Sequence, residues 1–260
     1  MSKMVAVILA AGKGTRMRSK LPKVLHKVGG KPMLEHVMAA AETAGADKSI
    51  VVVGFESEQV AEFVGTRAEI AVQAEQLGTG HAVMQTADLL KDFAGTVMII
   101  CGDTPLLDGC ELKKFYVEHQ ASGAAATVLT AILDNPTGYG RILRDCNGHV
   151  IGIVEEKDAT MSQKSICEIN TGIYCIEAPL LFEALSGLTC DNAQGEYYLT
   201  DVLGKLNEMG KFVGGVITAD SDMIMGINSR RQLADAETIM HTRILDKLMD
   251  KGVTIMDPAS

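Results

Sequence analysis

The run Val5-Ala6-Val7-Ile8-Leu9 carries no polar residue on either face of an extended chain. A strand of that kind is expected to be covered on both sides, as in a parallel sheet flanked by helices. Two more apolar runs follow, Ile50-Val51-Val52-Val53 and Thr96 to Cys101, with a short strand predicted at Ile70 to Gln73. Helix-patterned segments lie between them. Met33 to Ala44 opens after Pro32 and stops at Gly45, a proline-in, glycine-out boundary. Ser57 to Val64 has Ser57 as its expected cap, a third helix runs from Thr79 or Gly80 to about Leu90, and a fourth spans Asp108 to His119. Strands alternating with helices predict an α/β fold with a mixed, mostly parallel, doubly wound sheet.

The pattern changes after Ala124. Ala125 to Leu133, Arg141 to Arg144, His149 to Glu155 (after an Asn147-Gly148 turn) and Ile169 to Ile176 read as strands. They predict a smaller antiparallel excursion on the main sheet. Gln194 to Met209 is expected to be helical, Phe212 to Thr218 a strand, and Ser229 to about Lys251 a long final helix. No Pro/Ser-rich linker or internal repeat divides the chain. One domain with two lobes and a cleft is the expected arrangement.

Composition narrows the function classes. The chain has 260 residues, 47% of them apolar, enough for a sizeable core. No apolar run approaches the roughly 20 residues needed to cross a bilayer, and Met1-Ser2-Lys3-Met4 leads straight into a strand. The expected location is the cytoplasm, with no membrane partner. Six scattered cysteines without a Cys-x-x-Cys pair predict reduced, mostly buried thiols, and the fourteen methionines are expected to fill core gaps. Net charge is −9, which argues against general nucleic-acid binding. Yet residues 1–34 hold eight basic residues and no acidic one, leaving 16 of the 24 basic residues against all 33 acidic ones elsewhere. A local cation cluster on an acidic body suits a small polyanion.

That cluster centres on the loop after the first strand, Leu9-Ala10-Ala11-Gly12-Lys13-Gly14-Thr15-Arg16-Met17-Arg18, followed by Pro22-Lys23. Its glycines let a ligand approach the backbone, and successive N–H groups in such a turn form a nest for anionic oxygens. Met17 stands where the dinucleotide fingerprint needs its third glycine, and no Walker string occurs. A flexible basic loop is the alternative reading. In Gln73-Ala74-Glu75-Gln76-Leu77-Gly78-Thr79-Gly80-His81-Ala82, the glutamine amides supply the donor and acceptor that the imide edge of uracil needs. A glycine-rich helix start with Thr79 as cap explains the string equally well. Asp103 follows a buried strand, where open α/β sheets bind ligands, and one aspartate with a second oxygen donor such as Asn228 suits Mg2+ among phosphates. Asp103 also fits as a turn residue before Pro105, and Asn228 as a cap.

These segments carry a resemblance. Leu-Ala-Ala-Gly-x-Gly-Thr-Arg-Met followed by Leu-Pro-Lys resembles the signature of the sugar-1-phosphate nucleotidyltransferases. Gln73 to Ala82 is similar to the base-binding segment of the bacterial N-acetylglucosamine-1-phosphate uridyltransferases. In register and order, the likeness runs from about Val5 to Asp257. It is strongest to the uridyltransferase half of the bifunctional uridyltransferase/acetyltransferases.

The resemblance implies a Rossmann-like nucleotide-diphospho-sugar transferase fold, with a nucleotide lobe of about residues 1–124 and 210–250 and a sugar lobe of about 125–209. It implies transfer from UTP to N-acetylglucosamine 1-phosphate, giving UDP-N-acetylglucosamine and pyrophosphate for cell-wall or lipopolysaccharide precursors. Mg2+ would sit on Asp103 and Asn228. Arg16, Lys23 and Lys13 would serve catalysis, and Leu9, Ala10, Ala11, Gly12, Gln73, Gln76, Gly78 and Thr79 the nucleotide. Gly138, Glu155, Asn170 and Thr171 would hold the sugar, while Ala193 to Asp201 reads as mainly structural. The family continues into a left-handed β-helix that carries acetyl transfer and holds a trimer. Here the last residues are Val253 to Ser260, so neither is carried over and a monomer is expected. A sister enzyme for another nucleotide or sugar, or a non-catalytic nucleotide-sugar sensor, are the alternatives.

Overall fold

In the computed structural model, which describes residues 3–54 and 58–258, the chain runs as follows. Strand β1 is Met4–Ala10, and short 3-10 turns at Thr15–Met17 and Lys23–Leu25 lead to a small hairpin, β2 (Lys27–Val28) and β3 (Lys31–Pro32). Then come α1 (Met33–Ala44), β4 (Lys48–Gly54), α2 (Glu58–Val64), β5 (Glu69–Gln73), α3 (Thr79–Met84), α4 (Ala87–Leu90), β6 (Thr96–Cys101) and α5 (Gly109–Ser122). The second half comprises β7 (Ala126–Ile132), β8 (Arg141–Arg144), β9 (Val150–Val154), α6 (Met161–Lys164) and β10 (Glu168–Glu177). It closes with α7 (Ala178–Ser186), α8 (Asp201–Glu208), β11 (Val213–Ile217) and α9 (Arg230–Asp250).

One mixed sheet runs in the order β11-β7-β10-β6-β1-β4-β5, with the β8–β9 hairpin hung on β10. The β6, β1, β4 and β5 pairs are parallel; β10 is antiparallel to both β6 and β7. Side-chain alternation along β1 explains its unbroken apolar run. Val5 and Val7 join a core with α3, α7 and α8, while Ala6 and Ile8 join a second core with α1, α2 and α5 on the opposite face. Each buried valine or isoleucine side chain contributes about 1.5–3 kcal/mol by leaving water. A third, smaller cluster, including Val28, Met33, Leu106, Ile227 and Ala236, seats α9 over the β2–β3 hairpin.

Several predicted elements differ from the observed ones. The helix expected over Gln194 to Met209 starts only at Asp201, because Ala193, Tyr197 and Leu199 are committed to hydrogen bonds with other segments. The helix from Thr79 to Leu90 divides at Gln85 and Thr86, where the buried Thr86 hydroxyl donates to the Val83 carbonyl. The helices α6 and α7 and the β2–β3 hairpin are additions. The cap assigned to Ser57 lies outside the described residues. Four of the six cysteines, Cys110, Cys146, Cys167 and Cys190, are exposed, contrary to the expectation of mostly buried thiols; they occupy turns, loops and an outer helix face. Met161 and Met256 are likewise exposed.

Asp108 does what its position implies, accepting hydrogen bonds from the backbone N–H groups of Cys110 (2.7 Å) and Glu111 (3.3 Å) at the start of α5. Replacing it with alanine should cost about 1 kcal/mol. A thermal melt should then show a midpoint about 2–4 °C lower.

Candidate active site at the carboxyl edge of the sheet

The parallel strands β1, β5 and β6 end along one edge, and the residues just beyond them converge there. Antiparallel β10 brings its first residues to the same edge, since Tyr174 pairs with Ile99 and Glu177 with Thr96. Leu9 to Gly12, Gln73, Gln76, Gly78, Thr79, Lys23 and Asp103 line a cavity of about 320 Å³. This is the crevice outside the strand ends that α/β sheets use for ligands.

At the floor of the cavity, Lys23 joins two residues far from it in sequence. Its ammonium donates to the Asp103 carboxylate and to Asn228 Oδ1 at 3.0 Å, across 80 and 205 positions. A backbone bond explains the meeting, because Ile227 N–H donates to the Asp103 carbonyl at 2.9 Å and draws the Gly226–Asn228 segment over β6. Ser229 supplies the cap of α9, accepting from Gln232 N–H, which leaves the Asn228 side chain for Lys23. The cap reading of Asn228 is therefore excluded. Two oxygen donors arranged around one positive charge make a chemically suitable seat for a cation. Among the described residues no group of three or more His, Cys, Asp or Glu gathers to hold a metal, and Mg2+ in phosphate sites takes most of its ligands from phosphate and water. Beside this cluster, burial and the Asp103 charge push the Cys101 thiol up to about 12, with Lys23 opposing them; it stays a neutral thiol.

The loop after β1 packs on the stem of Lys23: a Cβ at Gly14, whose φ is +58°, would lie 2.7 Å from Lys23 Cβ. Arg230, at the start of α9, donates to the Met17 carbonyl and holds the loop from the far side. Lys13 lines an adjoining cavity of about 720 Å³ with Ser19, Lys20 and Gln76. Arg16 is exposed on its 3-10 turn and lines neither cavity. Gln76 Nε2 donates to the Ala11 carbonyl at 2.5 Å, tying the two cavity-lining loops together. Gln73, buried at the end of β5, donates to the Gly78 carbonyl at 2.9 Å. Thr79 is not the cap of α3; its hydroxyl accepts from Leu199 N–H at 3.1 Å.

The residues expected to hold a sugar occupy the β8–β9–β10 end. Register slips between Asn170 and Ile173, and this bulge turns the Asn170 amide to accept from Gly172 N–H. The Tyr174 hydroxyl, buried beneath, also hydrogen-bonds Asn170. Glu155 accepts a 3.1 Å hydrogen bond from Thr200. Burial holds its carboxyl above the usual range; Thr200 opposes that shift, while Asp201, Asp158 and Glu196 add to it. Gly138 is exposed at φ +90°, and its N–H donates to Glu156. Thr171 is buried, with its hydroxyl donating to the Leu129 carbonyl on β7.

Two residues of the candidate site escaped sequence reasoning. Glu196 lines the 320 Å³ cavity and Thr200 holds Glu155, although their segment reads as structural. The available signal was the mixture of polar residues in Gln194 to Thr200, too rich for one face of a short amphipathic helix.

The chain is 53% identical over 257 residues to the bifunctional protein GlmU of Pelotomaculum thermopropionicum, covering 99% of this chain and 56% of that one. It is 54% identical over 260 residues to bifunctional protein GlmU of Heliobacterium modesticaldum, covering 57% of it. The chain thus spans a little over half the length of the curated relatives it matches. A crystal structure of UDP-glucose pyrophosphorylase complexed with UDP-glucose superposes with a TM-score of 0.77 at 17% identity, over 94% of this chain and 100% of that one, showing the same fold. With the nucleotidyl transferase family model matching residues 5–223, from β1 to the approach to Asn228, this chain belongs to the nucleotidyl transferase family.

Proposed function

We propose that the chain transfers a uridylyl group from UTP to N-acetylglucosamine 1-phosphate, forming UDP-N-acetylglucosamine and releasing pyrophosphate. The observation that carries this reading is the meeting of Lys23, Asp103 and Asn228 at the floor of the cavity between the basic loop and the Gln73–Thr79 turn. The resemblance of both loops to the uridyltransferases supports the choice of nucleotide and sugar. Residues of about 1–124 and 210–250 serve the nucleotide, and those of about 125–209 the sugar.

A phosphate oxygen of the sugar 1-phosphate attacks the α-phosphorus of UTP, and the bond to the β-phosphate breaks. That oxygen arrives ionised, so the protein need supply neither base nor nucleophile; catalysis is positioning with charge neutralisation. Asp103 and Asn228 would hold Mg2+, which would supply positive charge to the reacting phosphates. Lys23, at the floor of the cavity, holds the phosphate being attacked with its ammonium. Lys13 and the loop amides receive the triphosphate, and Arg16 stabilises the departing pyrophosphate. Gln73 and Gln76 read the uracil edge in this reading, with Gly78 and Thr79 beneath the base. Gly138, Glu155, Asn170 and Thr171 hold the sugar.

Pyrophosphate release from UTP, with N-acetylglucosamine 1-phosphate and glucose 1-phosphate in parallel, with and without Mg2+, tests the reading. Metal-dependent release favouring the N-acetylated sugar is expected; binding of UDP-sugar without release would replace an enzyme by a sensor. Because Arg16 is exposed and packs into no core, Arg16→Ala should lower kcat by about 100-fold with the fold intact. Full turnover at saturating UTP would remove Arg16 from the mechanism.

A further inference from the structure

We propose that Thr200 is a positioning residue for the sugar half of the site, holding the Glu155 carboxylate and linking it to the base-binding turn. The inference rests on the assignment of Glu155 to the sugar made above. Thr200 stands at the N-cap position of α8, where threonine ordinarily gives its side-chain oxygen to the first free N–H groups. Here its side chain makes no cap bond, and the hydroxyl of this buried residue (4% exposed) donates instead to Glu155 Oε1 at 3.1 Å. The backbone at Thr200 is helical (φ −59°, ψ −28°), and the N–H groups of Asp201, Val202 and Leu203 bond the carbonyls of Tyr198, Leu199 and Thr200, which leaves the hydroxyl to hold the half-buried carboxylate.

The segment that delivers Thr200 is fastened along its length. Tyr197 N–H donates to the Leu77 carbonyl, and Gly80 N–H to the Tyr197 carbonyl, both at 2.8 Å. Leu199 N–H donates to Thr79 Oγ1. On the other side, Ala193 N–H donates to Asp158 Oδ1 at 2.9 Å and Lys157 to Gln194 Oε1 at 2.7 Å. One strap, residues 193–200, thus touches the turn beneath the base and the segment that carries the sugar acceptor. Its side chains also fix the strap itself, since Gln194 Nε2 donates to the Tyr198 hydroxyl.

The test is Thr200→Val, which keeps the shape and removes the hydroxyl, with Thr200→Ser as rescue. A lost hydrogen bond to a charged carboxylate should raise KM for N-acetylglucosamine 1-phosphate about tenfold. The KM for UTP and kcat should stay within about twofold, as for an interaction made equally in ground and transition states. In calorimetry, affinity for UDP-N-acetylglucosamine should fall by the same factor while that for UDP holds, and Thr200→Ser should restore both. An unchanged sugar KM, a parallel rise in both KM values, or failure of serine to rescue would overturn the proposal. If the valine variant does not fold, Thr200→Ala is measured against Thr200→Ser with the same outcomes. Absence of turnover in the unsubstituted chain would sink the proposed reaction instead, and the UDP-sugar titration would then decide on Thr200 alone.

Discussion

Asp103→Asn should lower kcat/KM by about 100- to 1000-fold, the range seen when one charge-stabilising group is removed from a reaction centre. The substitution preserves size and leaves one carbonyl oxygen, so packing at the end of β6 is kept. It removes the negative charge that Lys23 faces, and the two side chains are only 12% and 18% exposed. A lysine left there without its partner is a poorly solvated cation, and the new amide group would present N–H toward it in one of its two orientations. A cation seat built on one carboxylate and one amide becomes a seat of two neutral amides. The Mg2+ concentration for half-maximal activity should therefore rise at least about tenfold, as expected when the charge count of a hard-cation site falls. Titrating activity against Mg2+ and Mn2+ for both forms measures this. An unchanged metal dependence would show that Asp103 orders Lys23 and does not ligate the ion.

Gly78→Ala is expected to be the most disruptive single-methyl change at the site. Gly78 has φ +110° and ψ 175°, a region open essentially to glycine alone. An added Cβ would lie 2.6 Å from the Tyr197 carbonyl oxygen and 2.9 Å from its nitrogen. Neither side is free to yield, because the Tyr197 N–H and C=O are both bonded to the same turn, at Leu77 and Gly80. Backbone strain of about 1–3 kcal/mol adds to overpacking of similar size. A loss near 3 kcal/mol corresponds to a melting midpoint lower by roughly 6–12 °C in a domain of this size. Because Gly78 lines the cavity, affinity for UTP should fall at the same time, by about tenfold or more. Gly12→Ala is the control: a Cβ there meets nothing within 4 Å, and little change in the melt is expected. Equal melts for the two variants would mean that the turn and the strap behind it do not pack as rigidly as drawn.

Much of this was legible in the order of residues. The strands Thr96–Cys101 and Arg141–Arg144 and the helix Met33–Ala44 lie where periodicity and the Pro–Gly boundary place them. Those signals are local: apolar alternation, a fixed proline φ and a left-handed glycine end an element without reference to the rest of the chain. Residues 192–200 misled the same logic. Their helical appearance is real as a propensity, but the backbone groups of Tyr197 and Leu199 bond to residues about 120 positions earlier, which no local pattern reports.

Residue order alone encodes the fold class and the residue types that lie at the strand ends: a basic loop, a carboxylate after β6, and amides in the Gln73 turn. The tertiary structure alone decided which of them meet. Asn228 reaches Asp103 because Ile227 N–H bonds the Asp103 carbonyl, and Lys23 bridges them because the loop after β1 folds onto its stem. Thr200 turns from its own helix to Glu155 because a strap tied at both edges carries it there. Periodicity encodes which face of an element is buried; contacts between elements distant along the chain depend on how the sheet orders its strands, and that order emerges only when the whole core has packed.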